Sequence, residues 1–135
     1  KFFRIRLDHA HIDLRYILKD LGYTGGLKAC ERRLGIDRGG LEDVDGYFAV
    51  LLWQDFKKNK NAKSLETLLA YNTEDVLNLE TLIVKAYNMN LTGTPFNESR
   101  RLELPRRPAP TFEADRKTIE RIRREHPWIG RRYWR

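Results

Sequence analysis

The stretch SLETLLAYNTEDVLNLETLIVKAY, residues 64–87, decides how the rest of the chain is read. Leu65, Leu68, Leu69, Val76, Leu79, Ile83 and Ala86 recur there at helical spacing. A stripe of that kind is the face a helix turns toward a core. Ser64 stands where a hydroxyl can accept an orphan N–H of the first turn. The pattern predicts a helix from Leu65 to about Tyr87, ended by the segment from Asn88 to Pro95. Inside it lies Tyr71-Asn72-Thr73-Glu74-Asp75. Residues four apart share a helix face, so the Tyr71 phenol and the Asp75 carboxylate are neighbours. A helical wheel sets the pair beside the apolar stripe, at the rim of a core, where a cleft can form. A carboxylate there can bind a hard divalent cation through oxygen. A phenol one turn away can hold a water or orient a phosphate oxygen, which is equipment for metal-assisted phosphodiester hydrolysis. The same spacing also suits a core-edge tyrosine beside a solvated aspartate.

Upstream, Ala10-His11-Ile12-Asp13-Leu14 alternates weakly and reads as a short strand. Asp13 also stands as an N-cap for a helix from Arg15 to Leu21, stopped by Gly22. Capping is the favoured role for Asp13, with a place facing an active site as the other. Thr24-Gly25-Gly26 is a turn, and the Gly22, Gly25, Gly26 group lacks the lysine and helix context of a phosphate loop. Leu27 to Leu34 predicts a second helix with Leu27, Cys30 and Leu34 on one face and Gly35 as its stop. Cys30 is read as packing. Asp37 to Gly40 is a polar loop, and Tyr47 to Phe56 is apolar enough for a buried helix with Trp53 in the core. Lys57 to Lys63 reads as a solvated basic loop whose lysines, Lys57, Lys58, Lys60 and Lys63, can also brush a nucleic-acid backbone. His9 and His11, two apart, would share a strand face, but no third metal ligand is near. Further on, Pro95, Pro105, Pro108 and Pro110 favour an extended linker. Thr111 or Asp115 then caps a last helix through Glu125, with His126 at its C-terminal dipole before Pro127.

With 135 residues, 41% hydrophobic and 33% charged, the chain has enough material for one modest core, and wholesale disorder is excluded. No apolar run approaches the roughly 20 residues of a membrane helix. A single cysteine excludes an internal disulfide framework and any cysteine cage for zinc, so a reduced, cytoplasmic setting is expected. The opening residue is Lys1, which reads as a sign of a fragment. The formal charge of +7 is uneven. Residues 96–135 hold twelve Lys/Arg against six Asp/Glu, and eleven of the twelve are arginines. Trp128, Tyr133 and Trp134 are interleaved with them. Arginine pairs with phosphate and aromatics stack on bases, so this segment suits a nucleic-acid surface; a solvated tail or an inter-domain contact is the plainer alternative. The division expected is residues 1–91 as one unit and 92–135 as a linker with a basic, helix-containing segment.

Several pieces in order resemble one family. They are His11-Ile12-Asp13-Leu14; Gly25-Gly26-Leu27-Lys28 with Glu31 and Leu34-Gly35-Ile36; Asp45-Gly46 with Ala49-Val50 and Leu52-Trp53; and Tyr71-Asn72 with Glu74-Asp75-Val76 and Asn78-Leu79. Together, from His11 to Tyr87, they resemble the ribonuclease-H-like DEDDy 3′–5′ exonuclease superfamily, and within it the YprB-type branch. The resemblance implies a truncated α/β ribonuclease-H-like fold, with this part mostly helical and at most one or two short strands. It implies two divalent ions, Mg2+ or Mn2+, held by four acidic residues and acting on the 3′ end of DNA or RNA. Tyr71 and Asp75 match the last motif, Asp75 as metal ligand and Tyr71 positioning the attacking water. The two earlier motifs, which hold the other three acidic residues, have no counterpart here; Asp8 sits too close to the His11 segment to serve. The chain is therefore expected to be catalytically incomplete, with an uncovered apolar helix face that self-association would bury. A noncatalytic nucleic-acid-binding module and a regulatory domain packing on a partner are the alternatives.

Overall fold

The computed structural model describes residues 8–127. They form five helices: α1 (Leu14–Asp20), α2 (Leu27–Arg33), α3 (Gly46–Asn59), α4 (Ala62–Leu91) and α5 (Arg116–Glu125). Among the described residues there is no strand. The aromatic-rich end, with Trp128, Tyr133 and Trp134, lies outside them.

Local chemistry explains most helix ends. Asp13 accepts the Arg15 N–H at 2.9 Å and starts α1. That capping draws Leu14 into the helix and leaves Ala10–Asp13 irregular, so the expected short strand does not form. Asp45 and Asp115 do the same for α3 and α5, accepting from Phe48 at 2.7 Å and Thr118 at 2.8 Å. Gly35 follows α2 with φ +66, a conformation that costs a glycine little. His126 closes α5, its N–H donating to the Ile122 carbonyl.

The expected basic loop at Lys57–Lys63 is instead a sharp corner. Lysine is a good helix former, and α3 runs on to Asn59. Lys60 takes a left-handed conformation, φ 54, and donates its N–H to the Phe56 carbonyl. Asn61, rather than Ser64, caps α4, accepting from the Lys63 N–H at 3.1 Å.

Helix α4 is the spine. It packs chiefly against α3 and secondarily against α1. Its first half, through Ala70 and Tyr71, joins an apolar cluster with Val44, Phe48, Leu52 and the α5 residues Ile119 and Ile122. Its second half, through Leu82 and Ala86, joins another with Leu18 of α1 and Cys30 of α2. The basic segment is thereby tied to the body. Asn88 exchanges two hydrogen bonds with Leu102, the Asp115 N–H donates to Thr67 Oγ1 at 2.9 Å, and Arg121 pairs with Asp55 at 2.6 Å.

The buried face of α4 is only partly the predicted one: Ala86 is buried and Leu68 packs against the first cluster, but the middle of the stripe turns outward. Val76 is 66% exposed and Leu79 43%, while Ser64, Thr67 and Asn78 are buried. The face is rotated by about one position, or roughly 100°. Each buried polar group has its partner: Ser64 donates to Asp55, Thr67 to the Lys63 carbonyl and Asn78 to Glu31. Satisfied polar groups cost little to bury, so tertiary hydrogen bonding outweighs the apolar count. Trp53, expected in the core, is 46% exposed and lies beside Phe56 on the outer face of α3. Val76 and Leu79 do not by themselves specify a second copy of the chain as their cover.

Candidate functional site

Between the two apolar clusters, α4 carries a polar seam. Tyr71 and Asp75 fall on successive turns of it. Tyr71 is 8% exposed and belongs to the first cluster. Burial comes first, and then the charge of Asp75 and a hydrogen bond to it; together they push the Tyr71 phenol up to about 12. The structure thus brings these two side chains together, as their spacing predicts. It places Tyr71 inside the core and not at the rim of a cleft.

Asp75 has a second partner that its spacing does not announce. Arg38, only 4% exposed, extends from the loop between α2 and α3. One terminal nitrogen of its guanidinium donates to Asp75 Oδ1 and the other to Glu31 Oε2. The Asn78 side-chain amide donates to the remaining Glu31 oxygen at 2.9 Å. Burial alone would lower the Arg38 pKa; the hydrogen bonds it donates to Asp75 and then to Glu31 outweigh this and raise it. The Arg38 Nε stays buried with no partner in the described structure. Removing one partner of a buried ion pair costs about 3–5 kcal/mol, so this arrangement holds α2, its following loop and α4 in register.

Lys28 also lies close to the Tyr71 ring. Its ammonium lies 5.8 Å from the Tyr71 ring centre, and the Arg38 guanidinium 5.4 Å. Lys28 also donates to the Glu42 and Val44 carbonyls. Burial first, then the Arg38 charge, lowers its pKa. Next to Asp75, Glu74 pairs with Arg107, which also donates to the Asp37 carbonyl at 3.1 Å. The proline-containing segment is thus pinned beside the seam.

This donor set does not fit a divalent ion pair on its own. Asp75 supplies one carboxylate, already held by Arg38, and two cationic side chains stand close by. Among the described residues no group of three or more His, Cys, Asp and Glu is arranged to hold a metal, and this includes His9 and His11. A cavity of about 1000 Å3 opens farther along α4, against α1 and α2, lined by Leu18, Cys30, Leu79 and Ile83. Neither Tyr71 nor Asp75 lines it.

Sequence reading missed Arg38, which sits in a polar loop without periodicity. The signal available was its place between Gly35 and the Gly39–Gly40 pair, all three with positive φ, which turn the loop sharply on either side of it. Glu31, Lys28 and Asn78 stand among the residues that carry the resemblance, yet nothing local shows that they meet.

A family model described as the RNase H superfamily matches residues 1–87. The chain belongs to that superfamily. Membership carries nuclease-type, hydrolytic function at a coarse level, a nucleic-acid substrate, and the divalent-metal dependence typical of its members. No curated protein and no solved structure matches the chain. No helix among the described residues is long and apolar enough to cross a membrane.

Proposed function

We propose that this chain carries the last motif of a DEDDy-type 3′–5′ exonuclease centre of the YprB-type branch. Asp75 is its metal-binding carboxylate and Tyr71 its water-positioning phenol. The observation that supports this most is the placing of Tyr71 and Asp75 on successive turns of α4, within the span matched by the superfamily. The centre needs further carboxylates than the described residues hold, so residues 8–127 alone are inactive. Mg2+ or Mn2+ suits an all-oxygen donor set.

The test uses 5′-labelled single-stranded DNA and RNA with Mn2+ or Mg2+. The 135-residue chain is assayed alone and within any longer natural polypeptide that carries it. The expected result is no activity alone, and 3′-end shortening by the longer polypeptide that falls at least about 100-fold on Asp75→Asn, the scale of losing a catalytic group. Shortening that survives Asp75→Asn overturns the assignment.

A second reading, a noncatalytic nucleic-acid-binding surface, rests on the arginines. Arg107, Arg121 and Arg123 are tied to Glu74, Asp55 and Asp43. Among the described residues Arg100, Arg106, Lys117 and Arg124 make no ion pair, which leaves them open to phosphate. A flat log–log dependence of single-strand binding on salt would rule this reading out.

A further inference from the structure

The poor fit of the seam to a metal and the identity of what sits there point the same way. Glu31 is buried and Asp75 is partly so, with its side chain 28% exposed. Two carboxylates that close to each other repel unless a cation lies between them. The cation present is the Arg38 guanidinium, which spans both. It is 4% exposed, and its Nε is aimed into the protein with no acceptor. A guanidinium bound by two carboxylates while one of its own donors goes unmet is held for its charge more than for a complete set of hydrogen bonds. Lys28, whose charge also faces Asp75 and Glu31, donates instead to the Glu42 and Val44 carbonyls.

We infer that Arg38 is a resident counterion that occupies the cation position of the Asp75 site, so that a divalent ion reaches Asp75 only when Arg38 leaves it. Arg38 is in this sense a positioning residue. It sets the Asp75 side chain and, through it, the phenol of Tyr71, and it competes directly with metal for one carboxylate oxygen. The loop that carries it is short and flanked by glycines with positive φ. This inference rests on the reading of Asp75 as a metal-site carboxylate, and it adds what controls access to that carboxylate.

The experiment measures Mn2+ binding to the full 135-residue chain by electron paramagnetic resonance and calorimetry, with no nucleic acid and no activity readout. The variants are Arg38→Met, Arg38→Lys, Asp75→Asn and the double variant Arg38→Met/Asp75→Asn. Circular dichroism confirms the fold of each. Arg38→Gln, whose amide still serves Glu31, replaces Arg38→Met if the latter does not fold. Weak binding by the unaltered chain, at least tenfold tighter binding by Arg38→Met or Arg38→Gln, near-unaltered binding by Arg38→Lys, and loss of the gain in the double variant support the inference. Tight Mn2+ binding by the unaltered chain that Asp75→Asn removes overturns it and leaves the nuclease reading standing. No gain on removing Arg38 from a folded chain also overturns it. The nuclease reading fails separately, through cleavage by the longer polypeptide that ignores Asp75→Asn.

Discussion

Replacing Asp55 with alanine isolates the corner that fastens three helices. The Asp55 carboxylate accepts from Ser64, from Asn59 at 2.7 Å, from Asn61 at 3.0 Å and from Arg121 at 2.6 Å. Burial acts to raise its pKa, but the hydrogen bonds from Ser64, Arg121, Asn59 and Asn61 prevail and bring it to about 2. The folded value lies below the unfolded one, so the stabilisation is fully present above the unfolded pKa and is lost as pH falls through the folded pKa. Linkage between the ordinary value of 3.8 and about 2 is worth at most about 2.4 kcal/mol. Water at the edge of the cluster reduces this to roughly 1–2 kcal/mol. Truncation also strands the buried Ser64 hydroxyl, whereas Arg121 retains Glu125 at 3.1 Å. The expected loss for Asp55→Ala at pH 7 is about 2 kcal/mol, or roughly 6–10 °C in Tm for a domain of this size. Urea denaturation of both proteins at pH 7, 4 and 3 measures it. The gap at pH 3 should be about half that at pH 7. A gap under about 0.5 kcal/mol at pH 7, within the range of ordinary surface changes, would refute the reasoning. So would a gap that does not change between pH 7 and pH 3.

Two further outcomes follow from the cores and the seam. Leu82 is fully buried in the second cluster, and Leu82→Ala should cost about 3–5 kcal/mol by calorimetry or urea melts, with faster amide exchange in α1 and α2 than in α3. In an alkaline titration followed by tyrosinate absorbance, one of the six tyrosines should ionise only near pH 12, and Tyr71→Phe should remove that late component. Because the folded value is raised, the stabilisation it reports is complete below the unfolded pKa of 10.0 and is lost as pH rises through about 12.

The helices were legible where local chemistry decides them. Asp13, Asp115 and Gly35 act on backbone groups two or three residues away, and each ends its helix where the reading of the chain sets it. The pairing of Tyr71 with Asp75 is equally local, since one helical turn imposes it. What escaped detection depends on partners far along the chain. Ser64 and Asn78 look like surface residues until Asp55 and Glu31 arrive to bond them, and their burial turns Val76 and Leu79 outward. Trp53 looks like core by hydropathy, but Phe48 and Leu52 fill the inner face of α3 and leave it outside. Arg38 reaches Asp75 across 37 positions of sequence, beyond any periodic pattern.

Helix α4 is anchored near each end and polar between. At 30 residues it is about 45 Å long. Twisting it is resisted at two separate stations, and the stretch from Tyr71 to Asn78 is the span in between. Whatever sets the geometry of that span works on a rod clamped on both sides, so the shortest lever upon it is the six-residue crank from Gly35 to Gly40, whose tip is Arg38.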